Sequence, residues 1–337
     1  MSQGTEDAEL VRAQLHRLVE DVEPAPDALP KLLSAARRRR ARRRRPVLVG
    51  VSAALACATF IAVLAGYFAQ PRSTPIAVQP DSYVASTKPG VIAAFDVRTG
   101  RQKGEVARVV GADGSDLATD AGRVFIPVST EKGRGVVEIT RDGEREKIAT
   151  VADGRALTAG GGRVAYVDGA NYVVALGPNG RRDLPVRGMT VLDLALADDG
   201  RLALLVERGS NREVVIAGTD VTTLDGSVAL RGNPECGPLA IAWREDAVAA
   251  LEPVNCSSGR ARVATYDGDT GRKRSAGTPF ETPGLRPGKP DLSADEVGRF
   301  LVSAIDRGQW LVDGADVKRI PPACDREGYC TDGPATF

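Results

Sequence analysis

Residues 193–207 read DLALADDGRLALLVE, and residues 212–220 continue as REVVIAGTD. The first stretch is an apolar run, a polar turn containing Gly200 and a second apolar run, and the next stretch is a third run that ends in polar residues. Short apolar runs separated by Asp and Gly turns are typical of β-strands joined by hairpins. No stripe of apolar residues at helical spacing interrupts them. This part of the chain therefore predicts consecutive antiparallel strands.

The same pattern recurs on both sides of this stretch. Strand-turn-strand segments also begin near residues 116, 156, 239 and 291, and single strands that end in a polar turn begin near residues 91, 135, 171, 261 and 309. The centres of the single strands, with the one at 212, are spaced by roughly 36 to 49 residues, which indicates a repeat architecture. Four short antiparallel strands repeated around an axis form a β-propeller. We predict an all-β domain with about six blades.

Two structural alternatives remain at this stage: a seventh blade, and a pair of β-sandwiches in place of a ring. The first repeat lacks its beginning. We therefore expect a strand near residues 76–78 or 83–85 to pair with the last blade and close the ring.

The turns TGR at 99–101 and DGDTGR at 267–272, each after a Val-containing strand, resemble those of the TolB-like, YVTN-like and quinoprotein-like propellers. The resemblance covers residues 80–320 and implies the fold, because such turns shape hairpins and carry no chemistry. Asp267, Gly268, Asp269, Thr270 and Gly271 also resemble part of a calcium loop, but they lack the later ligands of an EF-hand. An Asp-Gly hairpin turn is the alternative that we favour.

An uncharged segment at residues 47–69 precedes the repeats. Its 23 residues reach roughly 34 Å as a helix, enough to cross a hydrocarbon core of about 30 Å. Basic residues beside a span stay in the cytoplasm and contact anionic lipid headgroups. We expect a cytoplasmic segment (1–46), a single transmembrane helix (47–69), a linker (70–80) and an extracytoplasmic domain (81–337). The basic residues beside the span are Arg37, Arg38, Arg39, Arg40, Arg42, Arg43, Arg44 and Arg45.

Three other interpretations of this region are less consistent with the sequence. A cleaved secretory signal has a shorter apolar run and a small-residue cleavage site, which the end of this run lacks. A lipoprotein would use Cys57, but Ala54 occupies the position of a large aliphatic residue and the apolar run continues beyond the cysteine. A nucleic-acid patch would explain the arginines alone. The position of the arginines against a span favours the topological signal.

The segment before the span predicts two amphipathic helices. Val11, Leu15, Leu18 and Val22 have helical spacing, and Asp27 is placed to begin a second, short helix. So small a pair needs the membrane surface, a second copy or a cytoplasmic regulator bound to residues 1–36. The layout resembles actinobacterial single-pass membrane proteins with an extracytoplasmic propeller, some of which are anti-sigma factors. A His-x3-Cys-x2-Cys zinc pattern is absent, because His16 has no cysteine near it.

Charge and cysteine content limit the chemistry of the outer part. Residues 1–46 carry 11 Lys and Arg against 7 Asp and Glu, so a whole-chain net charge of +1 leaves about −3 for the rest. This balance excludes a nucleic-acid partner. Four outer cysteines predict two disulfides in an oxidising compartment, Cys236 with Cys256 and Cys324 with Cys330, with other pairings or a metal site as the alternatives.

His16 is the single histidine of the chain, and it lies before the span. The outer domain therefore lacks the histidine of a Ser-His-Asp or Cys-His site and of a histidine-ligated zinc or haem. Neither a sialidase Ser-x-Asp-x-Gly-x-x-Trp box nor the tryptophan repeats of quinone-cofactor propellers occur, and no carboxylate pair is marked. We predict no catalytic residues, no cofactor and no metal.

The sequence favours a non-catalytic protein of the cell membrane, with a cytoplasmic N-terminus, whose propeller binds an envelope protein or a small ligand. A first alternative is a transmembrane sensor or anti-sigma-like regulator that signals through residues 1–36. A second is a carboxylate-dependent hydrolase or lyase, which requires two acidic residues from different blades about 5 to 9.5 Å apart at one channel mouth.

Overall fold

The computed structural model describes residues 81–337 except 113, 115, 132, 141–142, 152–154, 220–221, 232–235, 258, 283–289, 305–307, 325–327 and 329–334. The chain divides into two compact units, Met1–Gln70 and Pro71–Phe337. The predicted cytoplasmic segment, transmembrane helix, linker and arginine run lie outside the described residues. Within the part of the chain that the structure describes, no helix has the length and apolar character of a membrane span.

The described residues form six antiparallel sheets, which are the blades of a propeller, and the sandwich and seven-blade alternatives are wrong for them. The blades are blade 1, β1 Ser82–Lys88, β2 Val91–Asp96 and β3 Gln102–Arg108; blade 2, β4 Ala118–Asp120, β5 Arg123–Thr130, β6 Gly133–Ile139 and β7 Arg145–Val151; blade 3, β8 Arg155–Gly160, β9 Arg163–Asp168, β10 Tyr172–Gly177 and β11 Gly180–Pro185; blade 4, β12 Thr190–Leu196, β13 Leu202–Arg208, β14 Asn211–Ala217 and β15 Val228–Ala229; blade 5, β16 Ala240–Arg244, β17 Ala247–Pro253, β18 Arg260–Asp267, β19 Lys273–Ser275 and β20 Phe280–Glu281; and blade 6, β21 Pro290–Ala294, β22 Phe300–Ala304, β23 Gly308–Asp313 and β24 Asp316–Ile320. A last strand, β25 Ala335–Thr336, joins blade 1.

The second strand of a blade is apolar over most of its length because both of its faces are buried there. In β13, Leu202, Leu204 and Val206 pack towards blade 3, while Ala203 and Leu205 pack towards blade 5. A strand buried on both faces reads as a continuous apolar run, without the alternation of a half-exposed strand. The sequence LALLV is therefore a consequence of the position of this strand between two neighbouring sheets.

The hydrophobic core is divided into six clusters, one between each pair of neighbouring blades. The cluster between blades 6 and 1 contains Tyr83, Phe95, Leu301 and Ile320. Because each fully buried side chain of this size contributes about 1.5–3 kcal/mol, every blade depends on both of its neighbours for its stability. The ring must therefore be closed for the first and last blades to be stable.

The ring closes in a way that differs from the sequence prediction. Tyr83–Ala85 does lie in a strand, but that strand pairs with β2 and β25, and the prediction that it pairs with the last blade is wrong. The other candidate for that pairing, residues 76–78, lies outside the described residues. The end of the chain supplies the missing innermost strand of blade 1, with Thr336 opposite Val84 and Ala335 opposite Ala85. An edge strand of two residues has little intrinsic pairing signal in sequence, so only the closed ring reveals it.

Candidate functional site

The centre of the propeller is formed by the first strand of each blade. This strand is the edge of its sheet, and in blades 2 to 6 it comes first in the chain. Contacts between consecutive blades at these strands join them into a ring. They include Thr119 with Thr336 (3.2 Å between hydroxyl oxygens) and the Phe337 amide with the Ser293 hydroxyl (3.3 Å). Between blades 3 and 4, Gly161 has φ +56°, and a Cβ there would lie 2.0 Å from the Asp198 carbonyl, so this approach requires glycine.

Edge strands leave backbone N–H groups without a strand partner, and two aspartates bind such groups across blade boundaries. The carboxylate of Asp116 accepts from the amide of Leu117 at 3.1 Å and from that of Leu157, in blade 3, at 2.9 Å. In blade 4, Asp193 accepts from the Leu194 amide at 2.8 Å and from the Ile241 amide, in blade 5, at 2.8 Å. Each carboxylate thus joins its own blade to the next one.

A third aspartate occupies the same position in blade 6. Asp291 lies opposite Ser303 and accepts from the Leu292 amide, as Asp193 lies opposite Leu205 and accepts from the next amide in the chain. The corresponding residues of blades 3 and 5 are Ala156 and Ala240. Aspartate therefore alternates with alanine around blades 2 to 6, and the three carboxylates have an approximate threefold arrangement. We call Asp116, Asp193 and Asp291 the central carboxylates.

Asp193 and Asp291 are surrounded by protein atoms, and all three central carboxylates retain some solvent-accessible surface. Burial raises the pKa of Asp291 from 3.8 to about 7, with a further contribution from the charge of Asp116. Burial also raises the pKa of Asp193 well above 3.8, and Asp291 and Asp116 add to this, while the Ile241 and Leu194 amides oppose it.

These residues are absent from the sequence-based prediction, which identified no carboxylate pair. A signal was present: the dipeptide Asp-Leu begins the strand-turn-strand segments at 116, 193 and 291 and no others of that set. Alone it is a weak signal, because aspartate is common at strand ends. The register that aligns these positions becomes visible only when the blades are superposed around one axis.

The geometry of the central carboxylates favours a structural role over acid-base chemistry. Both oxygens of Asp116 and of Asp193 accept backbone amides, whereas a glycosidase needs a free nucleophile or base beside a raised-pKa acid. No group of three or more metal-ligating side chains suitable for one ion occurs among the described residues. Asp116 and Asp193 are placed to hold neighbouring inner strands together.

The two faces of the ring differ in their connections. Because the strands of a blade alternate in direction, the first-to-second and third-to-fourth connections lie on one face, which we call the turn face. The second-to-third connections and the links between blades lie on the other, which we call the linker face. Many turn-face connections are tight, such as Ala121–Gly122 in blade 2 and Glu245–Asp246 in blade 5.

Arginine side chains near the first-to-second turns join neighbouring blades on the turn face. Arg163 donates to the Asp198 carbonyl of blade 4 at 2.8 Å. Arg201 contacts Asp269 of blade 5 at 2.5 Å and lies 5.0 Å from the centre of the Trp243 ring. Arg299 pairs with Asp295 at 2.7 Å and with Asp81 of blade 1 at 3.7 Å. The charges on this face are largely paired within the ring.

The turn at 267–271 is a hairpin, as the sequence favoured. One oxygen of Asp267 accepts from the amides of Asp269 and Thr270 and from the Thr270 hydroxyl, and the other pairs with Arg274 at 2.6 Å. Asp96 makes the same contacts with Arg98 and Thr99 in blade 1. Hydrogen bonds from Arg274 and Thr270 lower the pKa of Asp267. Both oxygens of the Asp267 carboxylate therefore have partners within this hairpin.

A further buried carboxylate, that of Glu252, lies inside blade 5. Glu252 has no exposed surface, and its oxygens accept the Tyr266 hydroxyl and contact Lys273 Nζ at 3.0 Å and Arg262 Nε at 3.4 Å. Two cations and a hydroxyl compensate the charge of one carboxylate, as burial of a charge requires. This cluster contributes to the integrity of blade 5.

The linker face carries the predicted disulfide between Cys236 and Cys256, which is confirmed. It joins the link that precedes β16 to the connection between β17 and β18. Cys324 also belongs to a disulfide, but its predicted partner Cys330 lies outside the described residues, so that pairing stays a prediction. Cys324 is held against blade 1 by its amide, which donates to the Gly100 carbonyl at 3.3 Å.

We expect the double substitution Cys236→Ser, Cys256→Ser to lower the free energy of unfolding by about 3 kcal/mol, because the disulfide closes a loop with a sequence separation of 20. Denaturant unfolding of the detergent-solubilised chain, followed by the fluorescence of Trp243 and Trp310, measures the difference. Cys57→Ser is the matched control and leaves the midpoint unchanged. Equal midpoints for the double variant and the wild type would contradict the expectation.

No protein-family description and no curated protein matches this chain. Solved structures do: 384 chains resemble it, too many for the fold to select a function. One is from a nidogen/laminin complex, with a TM-score of 0.53 and 12% identity, covering 76% of this chain and 97% of that one. Another is the PorZ component of the type-IX secretion system of Porphyromonas gingivalis, with a TM-score of 0.46 and 14% identity, covering 75% of this chain and 33% of that one.

The fold is a six-bladed β-propeller. The nidogen/laminin chain supports this statement and, at its low identity, nothing about function. Any functional conclusion must come from the surfaces and side chains of this propeller itself.

Proposed function

We propose that this protein is a non-catalytic, single-pass membrane protein whose extracytoplasmic propeller binds an envelope protein or small ligand through its linker face. The anchor and its orientation rest on the apolar segment 47–69 and on the arginines before it. The similarity to TolB-like and YVTN-like propellers and the actinobacterial layout are part of the same proposal. The disulfide between Cys236 and Cys256 supports an oxidising compartment.

One observation carries the assignment to binding: the carboxylates grouped at the centre and in blade 5 already have partners inside the fold. Asp116 and Asp193 bind backbone amides with both oxygens, and Glu252 is compensated by Arg262 and Lys273. A hydrolase would keep an acid and a base free to reach substrate. These carboxylates stabilise the fold, so we place the binding function on the surface of the ring.

The linker face is the better candidate for that surface. Among the described residues it carries two of the three exposed large apolar side chains, Val110 at 93% and Tyr172 at 39% exposed, and the turn face carries the third, Val297. Val110 and Tyr172 lie in or beside connections between strands, where function concentrates on a rigid propeller. On the turn face, by contrast, arginines such as Arg201 and Arg299 are engaged in bonds between blades.

Site-specific photo-crosslinking in cells tests the binding face. A crosslinking amino acid placed at Val110 or Tyr172, in the full-length chain, is expected to capture the same envelope component from both positions. The matched control is Val297, a turn-face residue with 64% exposure. Capture from Val297 alone, or from neither linker-face position, would contradict the proposal. Repeating the experiment with residues 1–36 deleted separates the signalling alternative, in which a cytoplasmic regulator is lost with that segment.

A further inference from the structure

We propose that Arg231 and Arg272 form an anion site on the outer rim of the ring, where the chain passes from blade 4 to blade 5, and that this site binds a soluble phosphate group. The site is separate from the binding function proposed for the linker face and does not depend on it. Three observations support it: the parallel placement of the two arginines, their lack of counterions, and an equivalent position in blade 1 that lacks the second arginine.

The backbone fixes the two arginines side by side. Arg231 and Arg272 are partners in a parallel β-bridge, and the Arg231 amide donates to the Gly271 carbonyl at 2.8 Å. This approach requires glycine, because Gly271 has φ +67° and a Cβ there would clash with the Ala229 carbonyl oxygen. Neighbouring strands lie about 5 Å apart, and bridge partners point to the same side of the sheet. One ligand can therefore contact both guanidinium groups.

Both arginine side chains point to solvent. Leu230, which precedes Arg231, is buried in the cluster between blades 4 and 5. Lys273, which follows Arg272, contacts Glu252 inside blade 5 at 3.0 Å. Successive residues of a strand point to opposite faces, so Arg231 and Arg272 lie on the outer side, and both are exposed.

Neither guanidinium group has a counterion among the described residues. No ion pair and no side-chain hydrogen bond joins Arg231 or Arg272 to another residue in that part of the chain. Arg274 shows the contrast, because it pairs with Asp246 at 2.7 Å and with Asp267 at 2.6 Å. Like charges directly opposite on neighbouring strands are destabilising. An anionic ligand removes this repulsion.

Blade 1 shows that the bridge itself does not need two arginines. The turn at 99–101 has the same sequence as the turn at 270–272, and in it Arg101 forms the equivalent parallel bridge with Cys324. The Cys324 amide donates to the carbonyl of the turn glycine at 3.3 Å, as the Arg231 amide does in blade 5. The backbone contact is thus the same with cysteine in place of arginine. The charge of Arg231 is therefore available for a ligand.

The chemistry of two parallel guanidinium groups favours phosphate over carboxylate. A single guanidinium fork already satisfies the two oxygens of a carboxylate in a bidentate pair. A phosphate monoester has three acceptor oxygens and a charge of about −1.5 to −2 at pH 7, which matches two forks and two positive charges. The phosphodiester of an anionic lipid headgroup is the other source of this group, and it carries a single negative charge.

The test is residue-resolved protection from phenylglyoxal, which modifies exposed guanidinium groups, read by peptide mass spectrometry. The full-length protein is kept in a maltoside detergent, which contains no phosphate. Inorganic phosphate at about 10 mM is expected to slow the modification of Arg231 and Arg272 by roughly threefold or more, relative to sodium chloride at equal ionic strength. Arg101, exposed in the equivalent bridge of blade 1, is the internal control and should change by less than about 1.5-fold.

A substitution shows whether both guanidinium groups hold the same ligand. Arg231→Gln is expected to abolish most of the phosphate protection of Arg272, because a single fork binds phosphate weakly. Arg101→Gln is the matched control and leaves the protection of Arg231 and Arg272 unchanged. Arg231→Gln also removes a like-charge contact, so its melting temperature in chloride should equal or exceed that of the wild type. Loss of protection is thereby separated from loss of the fold.

Three outcomes would overturn the proposal. The first is equal protection of Arg101, Arg231 and Arg272 by phosphate, which indicates non-specific binding to basic side chains. The second is equal protection by acetate and phosphate at the same ionic strength. The third is protection in nanodiscs of phosphatidylglycerol, relative to phosphatidylcholine, without protection by inorganic phosphate, which assigns the pair to a lipid headgroup.

Discussion

Replacing Glu252 by alanine is expected to lower the free energy of unfolding by about 3 kcal/mol. The substitution leaves Arg262, Lys273 and the Tyr266 hydroxyl around a site that no longer carries a negative charge. The side chains of Arg262 and Lys273 are 24% and 23% exposed, so both cations regain part of their hydration. Because the cations regain hydration, we expect a loss in the free energy of unfolding at the lower end of the range found when one partner of a buried ion pair is removed. Denaturant unfolding measured by tryptophan fluorescence gives the difference.

Two controls separate charge from packing at Glu252. Glu252→Gln keeps an acceptor for Tyr266 and removes the charge, and its expected cost is about half that of alanine. Glu207→Ala removes a carboxylate that is 32% exposed and pairs with Arg212 at 3.1 Å, so its cost should stay below about 1 kcal/mol. If Glu252→Ala costs no more than Glu207→Ala, the blade 5 cluster has no role in stability.

Replacing Tyr83 by alanine is expected to have the largest effect, about 4–6 kcal/mol, because it combines a core cavity with an unpaired polar group. Tyr83 is 1% exposed, and its ring stacks on Phe95 with centroids 5.8 Å apart. Its hydroxyl donates to Gln309 Oε1 at 3.0 Å, which connects blade 1 to blade 6. The substitution weakens the place where the beginning and the end of the chain meet.

The contributions at Tyr83 are separated by a conservative variant. Tyr83→Phe keeps the ring and leaves the Gln309 side chain, 3% exposed, without this donor, at an expected cost of about 1–3 kcal/mol. Tyr172→Ala removes an exposed tyrosine and should change the free energy of unfolding by about 0.5 kcal/mol or less. Equal unfolding midpoints for Tyr83→Ala and Tyr172→Ala would show that the contact between blades 1 and 6 does not limit stability.

Local patterns in the sequence were sufficient to predict the repeating part of the fold. Residues 193–207 form β12, a turn and β13 as expected, and the turns at 99–101 and 267–272 are hairpins. The disulfide between Cys236 and Cys256 was also predictable, because the two cysteines flank one hairpin of a single blade. In each case the partners are close along the chain, and short-range geometry decides the outcome.

The closing strand and the central carboxylates escaped prediction because their partners are distant in sequence. Thr336 pairs with Val84, and Asp193 binds the amide of Ile241 in the next blade. A one-residue difference in alignment would move Asp193 to another face of its strand, and the sequence does not fix that register. The raised pKa of Asp291 is caused first by burial in the assembled ring and then by the charge of Asp116, which belongs to a blade four positions earlier in the chain.

The sequence by itself determined that the region after residue 80 is built from repeated antiparallel strands, because alternating apolar runs and Gly-containing turns specify local hairpins. It also predicted an anchor at 47–69 through length and hydropathy, which lies outside the described residues. Only the tertiary structure decided how the ring closes, which buried charges are compensated and which carboxylates bind the amides of a neighbouring blade. These features depend on burial and on Coulomb interactions between distant residues, and both exist only after the blades have assembled.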